Sequence, residues 1–196
     1  MKSIICQSDD IPISKAVVAI VGLLGVLGLM LSVHTFWGVP LIARAYAPEA
    51  DTGELGEILW LARAVYSETK VRKEQELVAW VIRNRVESTR YPNTYQEVVL
   101  QPKQFSGLNS FDRHYAFNTT LDFDDTAAGW ESAIAVANEV YFADDSIRPI
   151  ASGVAHFYSP IAVRRTPLWA EGEIPSHTVS DPTSGSLRFA FYSNIK

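Results

Sequence analysis

Between Leu59 and Ser106 the chain reads LWLARAVYSETKVRKEQELVAWVIRNRVESTRYPNTYQEVVLQPKQFS. Two strongly apolar helical patterns are joined by a short charged linker. A Pro-Asn-Thr turn, a short helix and the tripeptide Gln104-Phe105-Ser106 follow. On a helical wheel at roughly 100° per residue, Leu55, Ile58, Leu59, Leu61, Ala62, Val65 and Tyr66 fill one arc. Glu68 falls about 20° from Leu61, at the edge of that arc and in the last turn of the helix. Partial burial disfavours a carboxylate there, and so does the negative end of the helix dipole. Both raise its pKa, as a general acid working near neutrality requires. The alternative role for a Glu at a helix end is a solvated residue or a salt-bridge partner, here of Lys70 or Arg72.

The second pattern begins near Glu74 and carries Leu77, Val78, Ala79, Val81, Ile82 and Val86. Apolar residues cover more than half its circumference, which predicts the central buried helix of the domain. Arg85 points into the apolar arc, where a guanidinium has to be paired or hydrogen-bonded, and a structural role is expected for it. Asn84 is placed to bond a loop or a ligand, and the loop is the favoured partner. STRYPNT (88–94) marks a loop with Thr94 as N-cap of a short helix from Tyr95 to Leu100, which Pro102 ends. QFSGLNSFDRHYAFNTTLDFDD (104–125) is rich in aromatic and amide side chains but has no regular period. Such side chains suit a saccharide groove, the rings stacking on sugar faces and the amides bonding hydroxyls, and they are equally common in plain loop packing. A third helix is expected from about Thr126 to Phe142, with Trp130, Ala133, Ile134, Ala137, Val140 and Tyr141 as its core stripe. The last fifty residues lose helical period, and short extended pieces and loops, with a small hairpin among them, are expected over 156–160, 166–177 and 187–193.

Ahead of this lies a different kind of sequence. Ala16 to Val33 is eighteen residues without a charge, and the apolar character continues through FWGVPLIA (36–43). That is long enough to cross a bilayer as a helix. Ala45-Tyr46-Ala47 resembles a signal-peptidase site, but the apolar run exceeds an ordinary signal peptide and Pro48 follows the cut. The segment therefore reads as an uncleaved anchor, with Lys2 and Lys15 favouring a cytoplasmic N-terminus and an exported C-terminal domain. The expected organisation is a tail (1–14), a transmembrane signal anchor (15–43), a linker (44–53) and one domain (54–196). With 47% hydrophobic residues, the chain can supply a core of that size beside the anchor.

Charge and cysteine content narrow the function. The chain has 17 Lys+Arg against 22 Asp+Glu, a net charge of −5, and no basic run, so nucleic acid is a poor partner. The single cysteine, Cys6, lies in the tail, which leaves the main domain without disulfide or thiol chemistry.

ARAVYSE (62–68), VAWVIRNRV (78–86), YPNTYQEVV (91–99), QFS (104–106) and HFYSP (156–160) with the later LWA (168–170) resemble the SleB-type cell wall hydrolases, which include spore-cortex-lytic enzymes and related phage and bacterial enzymes. The resemblance covers roughly Leu55 to Tyr192. It implies a mainly α (α+β, lysozyme-like) soluble domain, here after a single N-terminal transmembrane helix. It also implies cleavage of peptidoglycan glycan strands between N-acetylmuramic acid and N-acetylglucosamine, commonly as a lytic transglycosylase without cofactor or metal. Carried over by position, Glu68 is the catalytic acid, and Thr94, Gln104, Phe105, Ser106 and Tyr158 are substrate-binding. The chain departs from the family after Glu68, where Thr69-Lys70-Val71-Arg72-Lys73 is shorter than usual and lacks Gly. One carboxyl suffices for a transglycosylase. Approach of Glu74, Asp112 or Asp122 would instead suit two-carboxyl hydrolysis. Two rivals remain: a zinc amidase or peptidase using His114, His156 and His177, which lack HExxH spacing and are expected in aromatic loops, and a membrane-tethered binding module without turnover.

Overall fold

The computed structural model describes residues 50–193 and 195. The expected tail, the anchor at 15–43, the Ala45-Tyr46-Ala47 site and Cys6 lie outside the described residues. Among the described residues no helix is long and apolar enough to cross a membrane.

Helix α1, Thr52–Glu68, begins in a capping box. The Asp51 carboxylate accepts from the Gly53 and Glu54 amides at 2.8 and 2.9 Å, and Glu54 accepts from the Asp51 amide at 2.8 Å. Its buried face is Leu55, Ile58, Leu61, Ala62, Ala64, Val65 and Tyr66, close to the arc read from the sequence. The helix stops because Thr69 turns to an extended conformation while its amide still bonds the Val65 carbonyl.

Helix α2, Arg72–Val86, starts two residues earlier than the apolar pattern predicts, because its first turn is polar: Arg72 and Lys73 are exposed, while Glu74 and Gln75 are buried. Ten of its residues are buried, including Glu74, Gln75, Asn84 and Arg85, and it packs against α1 and the last helix. Thr94 caps the short α3, Tyr95–Val99, and α4 spans Tyr115–Thr120. Helix α5, Trp130–Phe142, begins four residues later than expected. Gly129 precedes it at φ +81°, a left-handed conformation that breaks the helical run there. Ala133 and Ala137, both buried, let α5 approach α1 and α2 closely.

The C-terminal third forms an antiparallel sheet of β1 (Val154–Tyr158), β2 (His177–Ser180) and β3 (Leu187–Ser193), in the order β1-β3-β2. The central strand pairs His156 with Tyr192 and Phe157 with Phe191 on one side, and Val179 with Phe189 on the other. The rings of Phe157, Phe189 and Phe191 meet on one face, with centroids about 6 Å apart, and Phe105 joins them at 6.2 Å from Phe157. His156, Tyr158, Tyr192 and Trp169 meet in a second aromatic cluster. The pieces expected at 156–160 and 187–193 overlap β1 and β3, whereas 166–177 is mostly loop with a 3-10 turn at Leu168–Ala170 and β2 begins only at its end, giving a mainly α domain of α+β type.

Buried polar side chains fix the turn between α1 and α2. The Thr69 hydroxyl donates to Glu74 at 2.5 Å, and Glu74 is paired with Arg188 of β3, whose Nη2 lies 3.1 Å from Oε2. Gln75 donates to the Thr69 carbonyl at 3.1 Å and accepts from Ser132 of α5 at 2.7 Å. Glu74→Ala strands Arg188 and the Thr69 hydroxyl, and an unfolding cost of about 3 kcal/mol is expected. Urea denaturation of the variant checks this, and a change below about 0.5 kcal/mol would show that the turn does not depend on the pair.

Candidate active site

Glu68 is the last residue of α1, one position before the Thr69 turn. Its side chain is half-buried and takes no hydrogen bond or ion pair from any described residue. The two cations named as its alternative partners are engaged elsewhere. Lys70 donates to the Tyr66 carbonyl and lies 3.1 Å from the centre of the Tyr66 ring, while Arg72 pairs with Glu139 at 2.6 Å. Burial pushes the Glu68 carboxyl from 4.5 up to about 7, and the positive charge of Arg85 opposes part of that rise. A carboxyl so placed is part protonated at neutral pH and can give or take a proton there.

The Gln104-Phe105-Ser106 segment reaches this end of α1. It runs into a 3-10 turn, Ser106–Leu108, whose Gly107 approaches Ser67 so closely that an added Cβ would lie 2.9 Å from the Ser67 Cβ and 2.8 Å from Asn118 Nδ2. Asn118 of α4 fastens the turn by donating to the Gly107 carbonyl at 2.9 Å. Gln104 and Ser106 are exposed. Phe105 is not: it is 1% exposed, with its ring against Phe157 and 5.4 Å from the Arg85 guanidinium carbon. The resemblance assigned Phe105 to substrate, but the structure makes its side chain a wall of the core.

Thr94 lies elsewhere. Its hydroxyl donates to the Glu97 carboxylate at 2.9 Å and accepts from the Glu97 amide at 3.2 Å. The next residue, Tyr95, bonds Glu57 through its amide. Glu57 is eleven residues from Glu68 on α1, a separation of about 16 Å along the helix, so Thr94 is not brought to the acid. Tyr158 is half-buried on β1, stacked on Tyr192 at 6.0 Å and edge-on to Trp169 at 5.9 Å.

The three other carboxyls considered in the sequence are committed to other partners. Glu74 holds Arg188 and Thr69, Asp112 accepts from the His114 amide at 2.8 Å, and Asp122 accepts from the Phe123 amide at 2.8 Å. None contributes to the Glu68 shift, whose causes are burial and Arg85. His156 and His177 sit on strands rather than in loops, and His114 precedes α4. Among the described residues no three His, Cys, Asp or Glu side chains gather as a metal site. Two cavities, of about 450 and 560 Å³, lie beside Phe123–Glu131 and between Glu57, Arg83, Thr94 and Tyr141, and Glu68 lines neither.

Arg85 is the neighbour whose importance here the sequence understated. Its position in the apolar arc signalled a buried cation. That signal could not reveal that the carboxyl feeling its charge belongs to the preceding helix.

An α+β domain with one desolvated, unpaired carboxyl at the end of its first helix has the form of an acid–base enzyme. The family model described as Cell Wall Hydrolase matches residues 70–189, more than half of the chain, and the chain belongs to this family of cell wall hydrolases. The match begins two residues after Glu68 and includes Thr94, Gln104–Ser106 and Tyr158. Among solved structures, the catalytic domain of the Bacillus cereus SleB protein is similar, with 20% sequence identity and a TM-score of 0.48 over 78% of this chain and 98% of that one. No curated protein matches. Peptidoglycan is the substrate class that the family defines.

The raised pKa has a sign for stability. The folded state holds the Glu68 proton up to about pH 7 and the unfolded chain releases it near 4.5. The contribution is therefore fully present below about 4.5 and is lost as pH rises through 7. Glu68→Gln cannot ionise, so it gains on the wild type between these pH values and levels off above them. The gain is expected to reach about 2–3 kcal/mol, and thermal unfolding of both proteins across pH 4–8 measures it. A difference independent of pH would show that the carboxyl is not desolvated.

Proposed function

We propose that the domain cleaves the glycan strand of peptidoglycan between N-acetylmuramic acid and N-acetylglucosamine as a lytic transglycosylase, with Glu68 as its one catalytic carboxyl. The protonated carboxyl gives its proton to the glycosidic oxygen as the C1–O bond breaks, freeing the 4-hydroxyl of the departing sugar. The Glu68 carboxylate then takes the proton of the muramic acid's 6-hydroxyl, whose oxygen bonds C1 and closes a 1,6-anhydro ring. The proton returns to Glu68 and no water is consumed.

The observation that carries this reading is the isolation of Glu68: a carboxyl poised near neutrality, with no second carboxylate contributing to its shift. Two-carboxyl hydrolysis needs a base or nucleophile facing the acid across the scissile bond. Gln104 and Ser106, exposed beside the end of α1, are the polar groups placed to bond sugar hydroxyls or the N-acetyl group. Tyr158 with Trp169 offers aromatic surface on β1. Phe105 supports this wall from behind, and Thr94 shapes the fold through its cap.

Two outcomes are expected with purified sacculi. Glu68→Gln lowers fragment release by roughly 10²–10⁴-fold, the usual contribution of a general acid, and wild-type turnover falls as pH rises above about 7. Equal release by both proteins removes Glu68 from the chemistry, and release by neither favours a binding module. Mass spectrometry of the released muropeptides is expected to find anhydro ends, one water lighter than hydrolytic ends. Products carrying only hydrolytic ends would replace the transglycosylase by a hydrolase.

The proposal extends to location: residues 15–43 hold the domain at a membrane, with residues 1–14 cytoplasmic and the catalytic domain outside. The support is the uncharged run from Ala16 to Val33 with Lys2 and Lys15 before it. Protease added to intact spheroplasts is expected to digest the domain, and protection until lysis would reverse the orientation.

A further inference from the structure

Arg85 is 3% exposed in a helix that is buried almost all round, and the bonds around it leave its charge unpaired. Its Nε donates to the Ala155 carbonyl of β1 at 2.8 Å, and its guanidinium carbon lies 5.4 Å from the ring centres of both Tyr91 and Phe105. Nη1 is buried without a hydrogen-bond partner, and Arg85 belongs to no ion pair among the described residues. A buried guanidinium in this condition is costly, and an orphaned N–H of this kind calls for a reason.

The surroundings supply one. Phe105, against which the guanidinium lies, leads directly into the Ser106–Gly107 turn that touches Ser67, so Arg85 is packed behind the end of α1 that carries Glu68. No hydrogen bond or ion pair joins Arg85 to Glu68, and the positive charge of Arg85 opposes part of the rise that burial causes in the Glu68 carboxyl. The other groups brought here by packed elements are Arg90 and Tyr91 from the loop after α2, Gln104 beside Phe105, Asn118 of α4 and His156 of β1. Of these, only Arg85 is a charged group that affects Glu68. Burial and the charges of Arg85 and Arg90 hold His156 down to about 4, so that imidazole stays neutral where the enzyme works.

We propose that Arg85 is a positioning residue for the proton donor: a counter-charge held back from Glu68 by Ala155, Tyr91 and Phe105, which stabilises the carboxylate formed when Glu68 gives up its proton. The separation matters. A direct ion pair would keep the carboxyl ionised and leave no proton to donate, because an opposite charge in contact lowers a carboxyl by about 1–3 units. With no cation nearby, the buried carboxyl would hold its proton too firmly to part with it at neutral pH. Arg85 acts after the proton has moved, when the negative charge appears, and no other carboxylate pairs with its guanidinium among the described residues.

This inference rests on Glu68 being the acid, but its test does not depend on turnover. Carbon-13 NMR of the Glu68 carboxyl reads its titration directly in wild type, R85Q and R85K. R85Q is expected to move the midpoint upward by at least about half a pH unit, and R85K to leave it near the wild-type value although the bond to Ala155 is lost. The alkaline limb of the rate profile on sacculi should shift upward with it in R85Q. A purely structural Arg85 would lower the thermal stability of both variants and leave the midpoint in R85Q unmoved, which overturns the proposal. Should R85Q fail to fold, the guanidinium resonances of Arg85 are followed from pH 5 to 9 in wild type and E68Q. They are expected to shift with the Glu68 midpoint in wild type and to stay flat in E68Q, and a flat wild-type profile overturns the proposal equally. If the NMR shifts appear but sacculi are not cleaved, the electrostatic pair stands and the catalytic reading falls.

Discussion

A helix buried around most of its circumference has to satisfy every polar side chain it carries, and in this domain that helix is α2. Glu74 reaches Arg188 and Thr69, while Gln75 reaches Thr69 and Ser132. Asn84 donates to the carbonyls of Ala151 and Val154, and Arg85 donates to that of Ala155. The partners lie on β3, on the turn after α1, on α5, and on β1 with the segment before it. Together the buried polar groups of α2 fix four parts of the fold to it, because an unmade bond in the interior costs more than a made one gains. The apolar residues between them supply the driving force, and the polar residues choose the arrangement.

Glu68 inherits its surroundings from that scheme. The turn that follows it is held by Glu74 and Gln75, so the carboxyl is delivered to one place without being bonded itself. Burial, the main cause of its raised pKa, arises in a helix against which α2 and the Ser106–Leu108 turn are packed. One side-chain nitrogen of α2, Nη1 of Arg85, is buried without a partner among the described residues. A cost accepted in the core and a carboxyl poised near neutrality are thus two consequences of one packing arrangement.

Local chemistry was legible where the deciding forces are local. The end of α1 at Glu68, the cap at Thr94, the centrality of α2 and the burial of Arg85 follow from side-chain period and capping geometry. The start of α5 was misjudged because Gly129 takes a left-handed conformation that no apolar spacing reveals. Phe105 was misassigned because an aromatic ring in an irregular loop can face a ligand or the core with the same sequence signature. Thr94 lies apart from Glu68 because a motif preserves order along the chain and not distance across the fold. The sheet order β1-β3-β2 depends on pairings between distant segments, which short apolar runs leave open.

By itself, the sequence determined that this chain contains a mainly helical domain of the cell wall hydrolase family with an acidic residue at the rim of an apolar helix face. Helical periodicity and the order of five short blocks are enough for that. Only the tertiary structure decided what surrounds the carboxyl: that Lys70 and Arg72 turn to other partners, that Glu74 is tied to Arg188, and that the charge of Arg85 acts on it with no hydrogen bond or ion pair between them. The reason is physical. A pKa is set by dielectric surroundings and by charges on other elements, and both come into being only when those elements pack together.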